Sequence, residues 1–124
     1  GVLTLLPNAS VGYIGLYRDA VTHLPIEYYC KIPVVREKDV FILDPMLATG
    51  QSAARAVDMI KRAGGTGERI FFLSIISAPE GIEELISKHP DVNIFTAALD
   101  ERLNENDYIV PGLGDAGDRL YKTP

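Results

Sequence analysis

The sequence predicts an α/β domain in which helices flank a parallel β-sheet. Three apolar runs are predicted to be strands of that sheet, at residues 40–43, 70–77 and 92–97, and a helical pattern lies between each consecutive pair. Strands that are apolar on both faces are typical of parallel sheets covered by helices. The length of 124 residues fits one domain, so we assign residues 1–124 to a single unit.

The first third of the chain predicts less regular elements. Residues 11–17 (VGYIGLY) are β-branched and aromatic, which predicts a buried strand. The alternating segment IEYYCKI, bracketed by Pro25 and Pro33, is expected to form a short arm or edge strand, with Cys30 as a small buried residue. Burial is also expected for the apolar start of the chain, which contains Val2, Leu3, Leu5 and Leu6.

Two amphipathic helices follow from the spacing of apolar residues. The first has a stripe at positions i, i+3, i+4 and i+7 and ends at a Gly-Gly pair; the stripe is Ala53, Ala56, Val57 and Ile60. The second begins at Pro79 and must end at Pro90, with His89 expected to pack against the core rather than act as a base. From residue 100 onward the chain is polar and glycine-rich, which predicts a loop-rich cap without another helix–strand pair.

Composition excludes several classes of function. The 12 Lys plus Arg residues against 17 Asp plus Glu residues give a net charge of −5, which argues against a nucleic-acid binder held by phosphate contacts. The sequence has no apolar run long enough to span a membrane and no basic flank of a secretory signal, so a cytoplasmic protein is expected. One cysteine and two isolated histidines exclude an internal disulfide and a zinc cluster. A domain that binds a small molecule remains.

The loop DPMLATGQS, residues 44–52, is the best candidate for a binding site. It lies between a predicted strand and a predicted helix, at the edge where parallel sheets bind ligands. The backbone N–H groups of residues 48–52 can converge on an anion at the helix N-terminus, and Gly50 permits close approach of a phosphate. The alternative is purely structural: Ser52 caps the helix and Asp44 ends the strand.

A second glycine pattern carries no such prediction. Gly112, Gly114 and Gly117 match the G-x-G-x-x-G spacing of a dinucleotide-binding loop. That loop must be followed by a helix, another strand and a distant acidic residue, which the remaining residues up to 124 are too few to supply. We therefore interpret the match as accidental.

Several segments together resemble one known family. DPMLATGQS, SAPEGIEEL and HPDVNIFTAALDERLNENDYIVPGLGDAGDR resemble the C-terminal part of uracil phosphoribosyltransferases, and VGYIGLYRD is similar to the family's preceding strand. The resemblance covers nearly the whole chain and implies the phosphoribosyltransferase fold with a uracil-binding C-terminal cap. It also implies transfer of ribose 5-phosphate from 5-phosphoribosyl diphosphate to N1 of uracil, giving UMP and diphosphate, with Mg²⁺.

The resemblance further implies roles for individual residues. The amides of residues 48–52 would bind the 5-phosphate and Asp44 a ribose hydroxyl, within the loop Asp44, Pro45, Met46, Leu47, Ala48, Thr49, Gly50, Gln51 and Ser52. Arg18 would contact the diphosphate, and Mg²⁺ would bind through the diphosphate rather than directly to the protein. Uracil would be read largely by main-chain groups of Ile109, Gly114, Asp115 and Ala116, and Asp115 would also lie near the phosphates of 5-phosphoribosyl diphosphate and the metal. As catalytic residues, Asp44 and Asp115 would favour the positive charge that develops on the sugar.

Two departures from the family keep a second function open. Gln51 stands where the family usually has glycine, and the family's upstream half, with part of the diphosphate site, is missing. The chain is therefore either the C-terminal portion of such an enzyme, or a non-catalytic module that binds a uracil nucleotide or protein partners. A homo-oligomer, dimeric or larger, and a GTP effector are also expected from the resemblance.

Overall fold

The computed structural model describes residues 1–19 and 25–123. Four helices and eight strands occur in this part of the chain, together with a 3₁₀ turn at Gly67–Arg69. In chain order they are α1 (Val2–Leu5), β1 (Tyr13–Arg18), β2 (Pro25–Lys31), β3 (Val40–Leu43), β4 (Met46–Leu47), α2 (Gln51–Arg62), β5 (Ile70–Ser77), α3 (Pro79–Lys88), β6 (Asn93–Leu99), β7 (Arg102–Leu103), β8 (Ile109–Val110) and α4 (Ala116–Tyr121).

The central sheet is parallel, as the three apolar runs predict. Strand β5 lies in the middle, with β6 along one edge and β3 followed by β4 along the other. Ile42, Phe72 and Ile94 lie side by side across the sheet, which fixes the register of its three main strands. Strand β4 is an addition to the prediction, because it lies inside the segment that we expected to be a loop.

Both predicted helices are present and pack on the same face of the sheet. Their apolar stripes and the inward side chains of the strands form one buried cluster, made of Leu47, Ala53, Ala54, Val57, Ile60, Ile70, Phe72, Leu85 and Val92. His89 is only 6% exposed, and its Nε2 lies 3.2 Å from the carbonyl oxygen of Ala54. The prediction of a packed histidine at the end of α3 is confirmed.

The opposite face of the sheet carries a row of phenylalanine rings. The ring centroids of Phe41 and Phe71 are 5.3 Å apart and those of Phe71 and Phe95 are 6.4 Å apart. Phe41 and Phe95 are both about half exposed, at 46% and 56%. The buried core of the described residues therefore lies on one side of the sheet.

The N-terminal predictions need correction. Strand β1 pairs antiparallel with β2 in a separate hairpin, and the exposure of Tyr13 and Tyr17 shows that it is not a buried strand. Cys30 in β2 is exposed rather than buried. Helix α1 buries none of its residues, so the expected burial of the apolar start is also wrong. The hairpin matches the expected short arm, and Glu27 of β2 lies 3.5 Å from Arg55 of α2.

The C-terminal cap is mostly loop but contains more structure than predicted. Strands β7 and β8 form a two-residue antiparallel pair, and α4 follows after a turn. The cap thus packs beyond the carboxyl end of the central sheet, beside the loop that follows β3. Over the described residues, none of the helices is long and apolar enough to cross a membrane.

Candidate active site at the carboxyl end of the sheet

Backbone hydrogen bonds tie the loop of residues 44–52 to the end of β5. Asp44 N donates to Leu73 O at 3.2 Å, and Pro45 O accepts from the amides of Ile75 and Ile76. Further along, Ala78 N donates to Leu47 O at 2.9 Å. These bonds extend the pairing of the sheet into the loop, so the loop has a defined shape before any ligand binds.

Gly50 turns the loop into α2 and leaves the first amides of the helix pointing outward. It has φ +78°, a conformation that L side chains rarely adopt, and its carbonyl accepts the bond from Ala54 N at 2.9 Å. The amides of residues 51–53 precede that bond and have no acceptor within the helix. Gly50 therefore occupies the capping position, and the alternative that Ser52 caps the helix is wrong.

The N-terminal turn of α3 packs directly against this loop. A Cβ on Gly50 would lie 2.6 Å from Gly81 O, and a Cβ on Gly81 would lie 2.3 Å from Ala48 O. Such distances are closer than any non-bonded carbon–oxygen contact. The glycine pair thus allows two backbones to touch where the anion-binding amides are held.

We expect Gly81→Ala to lower the free energy of unfolding by about 1–3 kcal/mol, because the new methyl group forces the loop and α3 apart. Urea unfolding followed by circular dichroism measures this loss. Glu83→Ala, at an exposed position of the same helix, is the control and should leave the midpoint unchanged. Equal midpoints for the two variants would show that the contact is not tight.

The loop encloses a small cavity of about 110 Å³. Its lining includes most of the residues expected to bind ribose phosphate, namely Asp44, Met46, Leu47, Ala48, Thr49, Gly50 and Ser52, together with Ala53. Burial raises the pKa of Asp44 above its usual value, and the N–H of Met46, 3.3 Å from Oδ1, offsets part of this rise. A partly buried carboxylate and a helix N-terminus therefore both line the cavity.

A larger cavity of about 280 Å³ adjoins the first. Met46 and Ala48 line both cavities, and the larger one adds Ile109, Gly114 and Asp115 from the cap. The structure thus brings together two segments of the sequence that are separated by almost half the chain. A ligand with a phosphate at one end and a flat polar ring at the other matches these adjoining spaces.

Sequence reasoning missed three residues that line the larger cavity. They are Asn106, Asp107 and Tyr108, in the turn between β7 and β8. Asn104 Oδ1 accepts from the amides of Asn106 and Tyr108, each at 3.0 Å. The polar run NEND is a turn signal, but only the folded chain shows that this turn reaches the cavity.

Four predicted residues lie elsewhere or outside the description. Pro45 and Gln51 belong to the loop but not to the cavity lining, and Ala116 begins α4. The Gln51 Oε1 atom is buried and has no hydrogen-bond partner among the described residues. The backbone of Arg18 ends β1 opposite Pro25, while its side chain lies outside what the structure describes.

Asp115 combines a structural role with a position at the cavity. Its Oδ1 accepts from Asp118 N at 2.8 Å and caps α4. The residue nevertheless lines the larger cavity beside Gly114, whose φ of +75° favours glycine. The site therefore contains two carboxylates, Asp115 from the cap and Asp44 from the loop at the end of the sheet.

Comparison with known proteins agrees with this geometry. A family model described as uracil phosphoribosyltransferase matches residues 1–123. Curated relatives with that name include proteins of Symbiobacterium thermophilum, Clostridium botulinum and Lactococcus lactis, which are 58%, 57% and 54% identical over 124 residues. Each match covers 99% of this chain but only 58–59% of the relative, so the chain spans less than two thirds of their length.

Two solved structures share the fold. The AQ2163 protein from Aquifex aeolicus superposes with a TM-score of 0.89 and 43% identity, over 96% of this chain and 56% of that one. APRTase from Giardia lamblia, solved with 9-deazaadenine, superposes with a TM-score of 0.57 over 73% of this chain and 50% of that one, at 17% identity. The second likeness shows the fold alone, a parallel sheet flanked by helices. With the family model matching almost every residue, the chain belongs to the uracil phosphoribosyltransferase family.

Proposed function

We propose that the protein transfers the ribose 5-phosphate group of 5-phosphoribosyl diphosphate to N1 of uracil, forming UMP and diphosphate in pyrimidine salvage. The observation that carries the proposal is the pair of adjoining cavities that share Met46 and Ala48. One is bounded by a helix N-terminus suited to a phosphate, and the other by a glycine-rich main chain suited to a uracil edge. The names of the relatives support the same reaction.

The 5-phosphate would bind in the smaller cavity, at the N-terminus of α2. The amides of residues 48–52 and the positive end of the helix favour an anion there, without requiring a basic side chain. Gly50 and Gly81 keep the backbones close, so the amides are already oriented when the phosphate arrives. Asp44, which lines the same cavity, would accept a hydrogen bond from a ribose hydroxyl.

Uracil would bind in the larger cavity through main-chain groups near Ile109, Gly114, Asp115 and Ala116. The edge that stays free when N1 bonds to the ribose has the N3–H donor between two carbonyl acceptors, so a segment that offers both amides and carbonyls can pair with it. Ile109 is only 2% exposed and supplies an apolar wall. Cytosine carries a different pattern on this edge, which gives the site a basis for discrimination.

The protein would accelerate the reaction mainly by positioning and charge. Departure of diphosphate leaves positive character on the sugar, and the carboxylates of Asp44 and Asp115 would favour that charge from two sides. Holding the ribose and the base in adjoining cavities places N1 near the carbon that it attacks. Little covalent chemistry is left to the protein.

Mg²⁺ is part of the proposal, held chiefly by the substrate. Over residues 1–19 and 25–123, no three His, Cys, Asp or Glu side chains are grouped closely enough to hold a metal ion. Carboxylates such as Asp44 and Asp115 fit an ion that takes one or two protein oxygens plus substrate phosphates. When bound, Mg²⁺ would neutralise charge on the leaving diphosphate, and Arg18 would contact the same group.

The proposal extends to assembly, regulation and location. A homo-oligomer is supported by exposed aromatic residues on the β1–β2 hairpin, where Tyr13 and Tyr28 are 68% and 69% exposed. A GTP effector and a cytoplasmic location rest on the resemblance to the family and on the sequence.

Calorimetric titration of the chain with UMP tests the binding site. We expect saturable binding, with CMP at least about tenfold weaker, because a mismatched edge leaves polar groups unpaired. A folded chain that binds neither nucleotide would contradict the assigned site. UMP formation from uracil and 5-phosphoribosyl diphosphate, measured on a polypeptide of the relatives' length, tests the reaction itself.

A further inference from the structure

A partly exposed turn of the cap is held in place by the carboxylate of Asp100. This residue follows β6, and its own amide donates to Ser77 O at 2.9 Å, which extends the pairing of the central sheet. Its Oδ2 accepts a hydrogen bond from Gly112 N at 2.8 Å. The acceptor is therefore fixed by the sheet, while the donor belongs to the segment that reads uracil in the proposed function.

Gly112 is the point at which that segment reverses. Its φ is +49°, and an added Cβ would lie 1.9 Å from the Ile109 carbonyl oxygen, so only glycine fits. Ile109 and Gly114 lie on either side of this turn, and both line the larger cavity. The position of the Gly112 amide thus determines where the neighbouring main-chain groups face.

The carboxylate of Glu80 holds the other end of the cap. Glu80 lies in the first turn of α3, and its Oε1 accepts from Leu103 N at 2.9 Å. Leu103 pairs with Ile109 in the β7–β8 ladder. The Leu103 N–H is the main reason that the pKa of Glu80 is lowered, so this carboxylate is ionised at neutral pH.

The same turn of α3 contacts the loop around the smaller cavity. Ala78 N donates to Leu47 O at 2.9 Å, and Gly81 packs against Ala48 O. The first turn of α3 therefore contacts the loop of residues 44–52 and, through Glu80, also the cap. This turn sets the distance between the two cavities.

We propose that Asp100 and Glu80 are positioning residues that fix the uracil-reading segment relative to the ribose-phosphate loop. Neither lines either of the two cavities of the site, so each acts through the backbone amide that it holds rather than by touching the ligand. The inference rests on the proposed function and deepens it. A ligand that spans both cavities depends on this distance, whereas a ligand confined to the smaller cavity does not.

Titration of variants with UMP and with ribose 5-phosphate tests the proposal. Asp100→Ala is expected to raise the dissociation constant for UMP about tenfold, because Gly112 N loses its acceptor, while the constant for ribose 5-phosphate stays within about twofold. Asp100→Asn keeps an acceptor oxygen and should restore most of the UMP affinity. Glu80→Ala should weaken UMP binding in the same way, and Glu80→Gln, which keeps an acceptor oxygen, should restore most of the UMP affinity.

Glu101→Ala is the matched control, since this neighbouring carboxylate is exposed and lies 3.6 Å from Arg102. It should bind both ligands like the unaltered chain. Equal loss of UMP and ribose 5-phosphate affinity in Asp100→Ala would overturn the proposal in favour of a general structural role. Unchanged UMP affinity in both alanine variants would overturn it as well.

Amide hydrogen exchange separates this inference from the proposed function. In the unliganded chain, the Gly112 amide should exchange at least about tenfold faster in Asp100→Ala, because its protecting bond is lost. If the unaltered chain does not bind UMP, the proposed function is contradicted. Faster exchange of the Gly112 amide in Asp100→Ala would still show that Asp100 holds the turn. Slow exchange of Gly112 in the variant would show that Asp100 does not hold the turn.

Discussion

Replacing Asp44 by asparagine is expected to raise the dissociation constant for UMP by about tenfold to a hundredfold. In the proposed complex the carboxylate accepts a charge-assisted hydrogen bond from the ribose, a kind of bond worth about 1.5–3 kcal/mol. The amide of asparagine keeps the shape of the side chain but not its charge. In a polypeptide of the relatives' length, turnover should fall further, by about a hundredfold or more, because the charge also favours the transition state.

The same substitution should not destabilise the fold. Burial raises the pKa of Asp44 in the folded chain above its value in the unfolded chain. Its stabilising contribution is therefore complete below the unfolded-state pKa and is lost as pH rises through the folded-state pKa. At neutral pH the buried charge is a cost to folding, so asparagine should leave the stability unchanged or slightly increase it.

Calorimetric titration with UMP measures the change in affinity, and urea unfolding at neutral pH measures the change in stability. Asp39→Asn is the matched control, because Asp39 precedes β3 at the opposite end of the strand and forms an exposed ion pair with Arg69 at 2.8 Å. That variant should bind UMP normally and unfold at nearly the same urea concentration as the unaltered chain. Undiminished UMP affinity in Asp44→Asn would remove Asp44 from the site.

Periodicity was sufficient to predict the central elements of the fold. Strands β3, β5 and β6 and helices α2 and α3 all have apolar side chains that are buried in, or packed against, the core, and all lie close to the expected residues. The strand at residues 13–18 was found too, but not its surroundings. An apolar run predicts a strand that needs a neighbouring strand, but it does not identify that neighbour. Strand β1 pairs with β2 instead of joining the parallel sheet.

The site was predictable to the extent that it follows from short-range chemistry. The strand–loop–helix geometry of residues 44–52 made an anion site foreseeable, and the left-handed Gly50 supports it. The juxtaposition with Ile109 and Gly114 came from the resemblance, since no local pattern relates segments so far apart. Asp100 and Glu80 were overlooked for a similar reason: their partners are backbone amides, which leave no trace in the sequence.

The largest effect on stability is expected from Phe72→Ala, which should cost about 3–5 kcal/mol. Phe72 is fully buried in the middle of β5, with Ile42 and Ile94 beside it in the register of the sheet. Its ring belongs to the cluster beneath α2 and α3, and its removal leaves a cavity that these elements cannot fill without moving. A domain of ordinary stability has a free energy of unfolding of about 5–15 kcal/mol, and it would lose a large part of that free energy.

Phe71→Ala is the natural comparison, because Phe71 is the preceding residue of β5 and faces the other side of the sheet. It stacks on Phe41 at 5.3 Å in the partly exposed row of rings, so its loss should cost no more than about half as much. Urea unfolding of the two variants at one protein concentration measures the difference. Equal losses of stability would mean that the face carrying Phe71 is as well covered as the face carrying Phe72. The conclusion that the core lies on one side of the sheet would then be wrong.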